Sequence, residues 1–143
     1  MSDERFEYGS TGLITQDLRR LKKWRSLEDD VKNHYKMWAG RLSDEILRSV
    51  FNYPLCEHIT KKVSGGEEIN FYKMRVGISN PRISSSGGCR LVFGILLRSK
   101  KFIPVLLYAA CEEGKFYPIN GKKICLKKSG LIQIIDEKLK LLN

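Results

Sequence analysis

No apolar run in this 143-residue chain approaches the ~20 residues that a membrane-crossing helix needs, so a helical membrane span is not expected. The opening stretch, MSDERFEYGS, is polar and has no signal-peptide core, so no secretory leader is expected. Four cysteines are present (Cys56, Cys89, Cys111 and Cys125), but no C-x-x-C spacing, which removes the usual zinc signature and implies no disulfide framework. Three of them lie in apolar, strand-like runs, as buried free thiols in a reducing cytoplasm would. The chain has no internal repeat, low-complexity tract or long linker. Only two histidines are available for acid–base work. His34 falls within a helical stripe, and His58 precedes a basic strand.

Acidic residues are also in deficit. Lys and Arg number 26 against 16 Asp and Glu, a net charge of +10. Such an excess favours a polyanion, most often nucleic acid, over a membrane surface or an acidic protein. The alternative is a solubility surface that binds nothing. The length fits a single domain, 1–143, with a modest core, and the 42% hydrophobic fraction fits a folded chain.

Residues 1–12 read as an arm, with Phe6 and Tyr8 alternating as in a short edge strand. Thr15 is placed to cap a helix whose stripe is Leu18, Leu21 and Trp24. Ser26 and the acids after it open a second helix, with Leu27, Val31, Tyr35, Trp38 and Leu42 at helical spacing. It breaks near Gly40 and Ser43 or runs on through Ile46, Leu47 and Val50, and Asn52-Tyr53-Pro54 ends it. From Ile69 the period becomes two, which predicts strands near 69–76, 88–97 and 102–110. Pro104 cannot donate to a ladder, so it suggests a strand start or an edge. Residues 111–126 read as a basic hairpin and the segment from Ser129 as an amphipathic helix. The order is α+β: an antiparallel sheet with an N-terminal helical hairpin on one face, and a C-terminal helix.

Strand alternation places Tyr72, Met74 and Val76 on one face and Phe71, Lys73 and Arg75 on the other; Arg90 points away from Leu91, Phe93 and Ile95. If the apolar sets face the helices, then Lys73, Arg75 and Arg90 emerge together on an uncovered face. Like charges so placed repel unless an anion lies among them. Arginine forks onto phosphate oxygens, lysine supplies a point charge, and Gly87-Gly88 allows a close backbone approach. From spacing alone, a solvated polar sheet face fits equally well.

The stretch YKMRVG…SSSGGCRLVFG resembles the central strand pair of the RelE/HigB superfamily of toxins from toxin–antitoxin modules: a basic strand, a loop ending in Ser-Gly-Gly, one residue, an Arg, then an apolar strand. Residues 21–42 resemble that family's helical hairpin, and 105–117 occupy the place of its last strand and catalytic tail. The resemblance covers roughly 15–117 and implies a RelE-like fold and a metal-free, cofactor-free endoribonuclease that cuts mRNA, in many members on the translating ribosome. It also implies a cognate antitoxin protein as partner. Lys73 and Arg75 match the family's two basic strand positions. Lys73 is then the base or proton relay, and Arg75 and Arg90 hold and stabilise the phosphate. Tyr117 matches an aromatic that stacks on the nucleotide. Arg82 and Lys115 are candidates for flanking RNA. Cys111-Glu112-Glu113 departs from the family, which often has a basic residue there. The tail 118–143 is an addition. The alternatives are a relative that poisons gyrase, as ParE-like proteins do, and a basic module that binds RNA without cutting it.

Overall fold

The computed structural model describes residues 6–9, 11–39 and 56–142, with the side chains of 37–39 also left aside. The expected end of the second helix, from Gly40 to Pro54, lies outside the described residues. β1 (Glu7–Tyr8) leads to α1 (Thr15–Arg20) and α2 (Leu27–Ala39). Then follow β2 (Cys56–Ser64), β3 (Glu67–Val76), β4 (Ile78–Ser79), β5 (Arg82–Ile83), β6 (Cys89–Leu96) and β7 (Lys101–Ala109). A short 3-10 turn (Ala110–Glu112), β8 (Phe116–Ile119), β9 (Lys122–Cys125) and α3 (Lys128–Lys140) complete the chain. The fold is α+β. No helix among the described residues is long and apolar enough to cross a membrane.

The main sheet has five strands in the order β1-β7-β6-β3-β2. It is mixed rather than antiparallel throughout: β1 runs parallel to β7, with Glu7 N–H donating to Lys100 O and Gly9 N–H to Phe102 O. Phe6 anchors this arm in the core, and its carbonyl accepts from the Tyr35 hydroxyl. Pro104 is neither at a strand start nor on an edge. It is tolerated inside β7 because β1 pairs only with Lys101 and Phe102, and because the β6–β7 register shifts there, leaving Val105 as an extra residue. The first helix is shorter than the Leu18-Leu21-Trp24 stripe suggests, since Leu21 and Trp24 enter the core from turns after Arg20.

Both faces of the sheet are covered, which corrects the expectation of an open basic face. One face packs Met74, Val76, Leu91, Phe93, Ile95 and Leu107 against Leu21, Trp24, Leu27 and Val31 of the α1–α2 region. The other packs Ile69, Phe71, Val92, Leu106 and Tyr108 against Tyr117, Ile119 and Ile124 of the β8–β9 hairpin and Leu131, Ile134 and Ile135 of α3. The apolar members of this second face, Phe71 and Val92, need that cover. Close approach fixes it: a Cβ on Gly130 would stand 1.7 Å from Cys125 O, so only glycine lets α3 start against β9. Opposite Phe71, Gly94 leaves room for the ring, whose Cε1 would lie 2.9 Å from an added Cβ.

A buried polar cluster ties this layer to α1. Asp17, fully buried, accepts from the Tyr117 hydroxyl, from Leu107 N–H at 3.1 Å and from Arg20 Nη1 at 2.8 Å. Lys138 Nζ reaches Asp17 Oδ2 at 3.1 Å and also donates to Leu13 O. Burial lowers the Lys138 pKa and raises that of Tyr117, where the adjacent Asp17 charge acts in the same direction as burial.

Candidate nucleic-acid interface

Lys73, Arg75 and Arg90 do share one sheet face. Antiparallel pairing sets Arg75 directly opposite Arg90, and Lys73 opposite Val92 on one side and Glu57 on the other. Tyr108 on β7 stands opposite Arg90 in the same row. The α3–hairpin layer covers the apolar part of this face and leaves the cationic end open to different degrees: Arg75 is exposed, Lys73 partly buried, and Arg90 only 6% exposed.

Arg90 is tied into the fold. Its Nε donates to Glu113 Oε1 at 2.8 Å, its Nη1 to Ser85 O and its Nη2 to Ser86 O, both at 3.0 Å. Three of the five guanidinium N–H groups therefore have protein acceptors. The Ser-Gly-Gly loop turns carbonyl oxygens, not N–H groups, toward this arginine, so it braces a cation rather than cradling an anion. Gly88 has a packing reason: an added Cβ would lie 2.4 Å from Val76 O.

The two acids that break the family pattern each take an arginine. Glu112 receives Arg20 through Nε and Nη2, both at 3.2 Å, and caps Ala109 N–H at 2.8 Å; Glu113 takes Arg90. Lys73 Nζ lies 3.4 Å from Glu57 Oε2, and Lys128, at the start of α3, stands 3.9 Å from the other oxygen of Glu57. Arg75 has no acidic partner among the described residues. Among the described residues it is thus the one of the three without an ion pair.

No protein-family model, no curated protein and no solved structure matches this chain.

The remaining candidates separate. Tyr117 is 5% exposed, with its hydroxyl on Asp17 and its ring flanked by Arg20 and Lys138, so neither face of the ring is open to a base. Its position opposite Ile124 turns it into the core. Arg82 is exposed on β5 and lines an open cleft of about 720 Å³ with Asp30 of α2 and with Ser85, whose carbonyl accepts from Arg90. Lys115 is exposed just before β8. His58 pairs with Tyr72, hence on the opposite face from Lys73, and its ring contacts Asn70 at 3.1 Å. His34 is half-buried on α2, and burial lowers its pKa. Among the described residues no His, Cys, Asp and Glu group is arranged to hold a metal.

Sequence reasoning missed Glu57, because β2 carries mixed polar and apolar residues with no clean alternation. It also missed Asp17 and Lys138, for which a signal existed. Asp17 is midway between Leu13 and Leu21 at i±4, and Lys138 continues the Leu131-Ile134-Ile135 stripe. A charge in an apolar stripe on each of two helices is the mark of a buried pair.

Proposed function

We propose that the chain is an RNA-directed toxin of the RelE/HigB kind, which cleaves mRNA without metal and is held in check by a partner protein. The observation that carries this reading is the Arg75–Arg90 cross-strand pair, with Lys73 in the same row and Arg75 without an acidic partner among the described residues. Glu113 already offsets the charge of Arg90, and a phosphate beside Arg75 adds an anion for the second arginine of the pair. In the reaction the 2′-hydroxyl attacks the adjacent phosphorus, its proton passes to the protein, the P–O5′ bond breaks and the 5′-oxygen takes up a proton. Lys73 and Glu57, in contact with each other, supply a donor and an acceptor for this exchange. Arg75 stabilises the phosphorane charge, and Arg90 holds the loop and adds its two remaining N–H groups.

A second reading, an RNA-binding module that does not cut, is favoured by one observation: Arg90 is already bound to Glu113 and two carbonyls, while Tyr117 is buried. One experiment separates the two. RNA integrity and growth are followed during inducible expression of the wild type and of Lys73→Ala and Arg75→Ala, whose side chains are not core. The nuclease reading expects growth arrest with discrete mRNA cuts, and purified variants that cleave roughly 100-fold more slowly or worse. Intact mRNA during arrest would refute cleavage and point to another target such as gyrase. Intact mRNA without arrest, but with salt-sensitive RNA binding, would establish the non-cutting module.

A further inference from the structure

The β8–β9 hairpin carries a surface that the reading above does not use. From Gly114 to Lys128 the chain holds five lysines (Lys115, Lys122, Lys123, Lys127 and Lys128) and no acidic residue. The strand register puts Phe116 opposite Cys125 and Pro118 opposite Lys123, so these four share a face; Tyr117 and Ile124 share the other. The second set is buried against α3 and the sheet. The first faces outward, and Phe116 is 68% exposed where its neighbour Tyr117 is 5%.

A single exposed phenyl ring carries no message by itself. Its surroundings do. Of the five lysines, Lys122 pairs with Glu137 at 2.6 Å and Lys128 lies 3.9 Å from Glu57. Lys115, Lys123 and Lys127 are exposed and have no acidic partner among the described residues. An aromatic face ringed by uncompensated cations matches an unpaired nucleotide: the base stacks on the ring and the phosphates meet the ammonium groups. The surface also adjoins the sheet site. Glu113, which accepts from Arg90 Nε at 2.8 Å, is three residues before Phe116, so the backbone from one to the other spans at most about 10 Å.

We propose that Phe116 is the base-stacking platform for single-stranded RNA, with Lys123 and Lys127, two residues either side of the Cys125 that Phe116 faces, contacting the phosphates on either side of the stacked nucleotide. The inference rests on the RNA reading above and adds the strand form recognised and the place where the strand enters. An anionic membrane surface also takes lysines around an aromatic. The short chain distance to the Arg90–Glu113 pair favours RNA, since a lipid headgroup has no reason to extend toward the sheet.

The test uses the full chain and a fluorescently labelled 2′-O-methyl oligouridine, which has no free 2′-hydroxyl and so survives any cleavage. A duplex RNA serves as the comparison. Anisotropy titrations compare the wild type with Phe116→Ala, Phe116→Trp, Lys123→Ala/Lys127→Ala and Arg75→Ala, and thermal melts confirm that each is folded. The expected result is a roughly 5- to 100-fold loss of oligouridine affinity in Phe116→Ala, affinity retained in Phe116→Trp, and duplex binding unaffected by either. The double lysine variant should lower the salt slope by about 1.4, at ~0.7 per single-strand phosphate contact. Unchanged oligouridine binding in Phe116→Ala overturns the platform; if Arg75→Ala still binds weakly in that case, the RNA reading stands without it. A wild type that binds neither RNA overturns both. Sedimentation with phosphatidylserine vesicles in place of RNA binding would assign the hairpin to a membrane and also overturn both.

Discussion

Asp17→Asn preserves shape and removes one buried charge. Its consequence is set by what the carboxylate compensates. Lys138 is 3% exposed, and Asp17 Oδ2, at 3.1 Å, is its anionic partner. Arg20 also contacts Asp17, but its side chain is 31% exposed and keeps Glu112, so that pair adds little. The dominant loss is therefore the stranded Lys138 ammonium. Breaking one side of a buried pair costs about 3–5 kcal/mol. For a domain of this size that is a fall in Tm of roughly 6–20 °C, at ~2–4 °C per kcal/mol. The assay is urea unfolding followed by far-UV circular dichroism, with Asp17→Asn, Lys138→Met and the double variant forming a cycle. The double variant should recover most of the loss, because an apolar side chain replaces the orphaned charge. A cost below about 1 kcal/mol for Asp17→Asn, or a double variant no more stable than the single, would refute the account.

Two further outcomes follow from the same layer. Gly130→Ala should destabilise strongly, by several-fold more than the ~1 kcal/mol gained from helix propensity, because its Cβ meets a backbone carbonyl at 1.7 Å that cannot turn aside; a melt no lower than wild type would contradict the packing of α3 on β9. Stability should fall as the solution becomes alkaline. Burial raises the pKa values of Tyr8, Cys56 and Cys89 to about 12, and those of Tyr108 and Tyr117 upward as well. Groups raised on folding contribute fully below their unfolded values, ~8.5 for Cys and ~10 for Tyr, and that contribution is lost as pH rises toward the folded values. Tyr72 is raised by burial too, and Lys138, lowered on folding, acts in the opposite sense below ~10.4, one group against six. Urea midpoints that stay level from about pH 8 to pH 11 would count against this burial pattern.

The strands from Ile69 onward were legible because period-two alternation is strong where one face meets a core: 69–76, 88–97 and 102–110 correspond to β3, β6 and β7 within one or two residues. The basic hairpin and terminal helix were legible for similar reasons. What could not be read was the cover on the second sheet face. Phe71 and Val92 share a row with Lys73, Arg75 and Arg90, and alternation alone cannot tell a partly buried row from a solvated one. The register brought the three cations together as expected. The state of each depended on long-range partners, Glu57 for Lys73 and Glu113 for Arg90, that no local pattern announces. The burial of Tyr117 was equally hard to read: in a two-stranded hairpin, neighbours point oppositely, and here it is Phe116 that faces water.

The Asp17–Lys138 contact joins residues 121 positions apart. At about 5–20 residues per second, a ribosome needs roughly 6–24 s to pass from one to the other. Throughout that interval the nascent α1 has a carboxylate in its apolar stripe with Arg20, whose side chain stays 31% exposed, as its neighbouring cation, and the buried partner Lys138 is still to be made. Burying it early would leave Asp17 Oδ2 without the ammonium it meets at 3.1 Å, so this part of the sheet's second face is completed only when α3 packs on it. The core around α1 thus depends on a contact of very long sequence separation, and the arrival of α3 is the event that completes it.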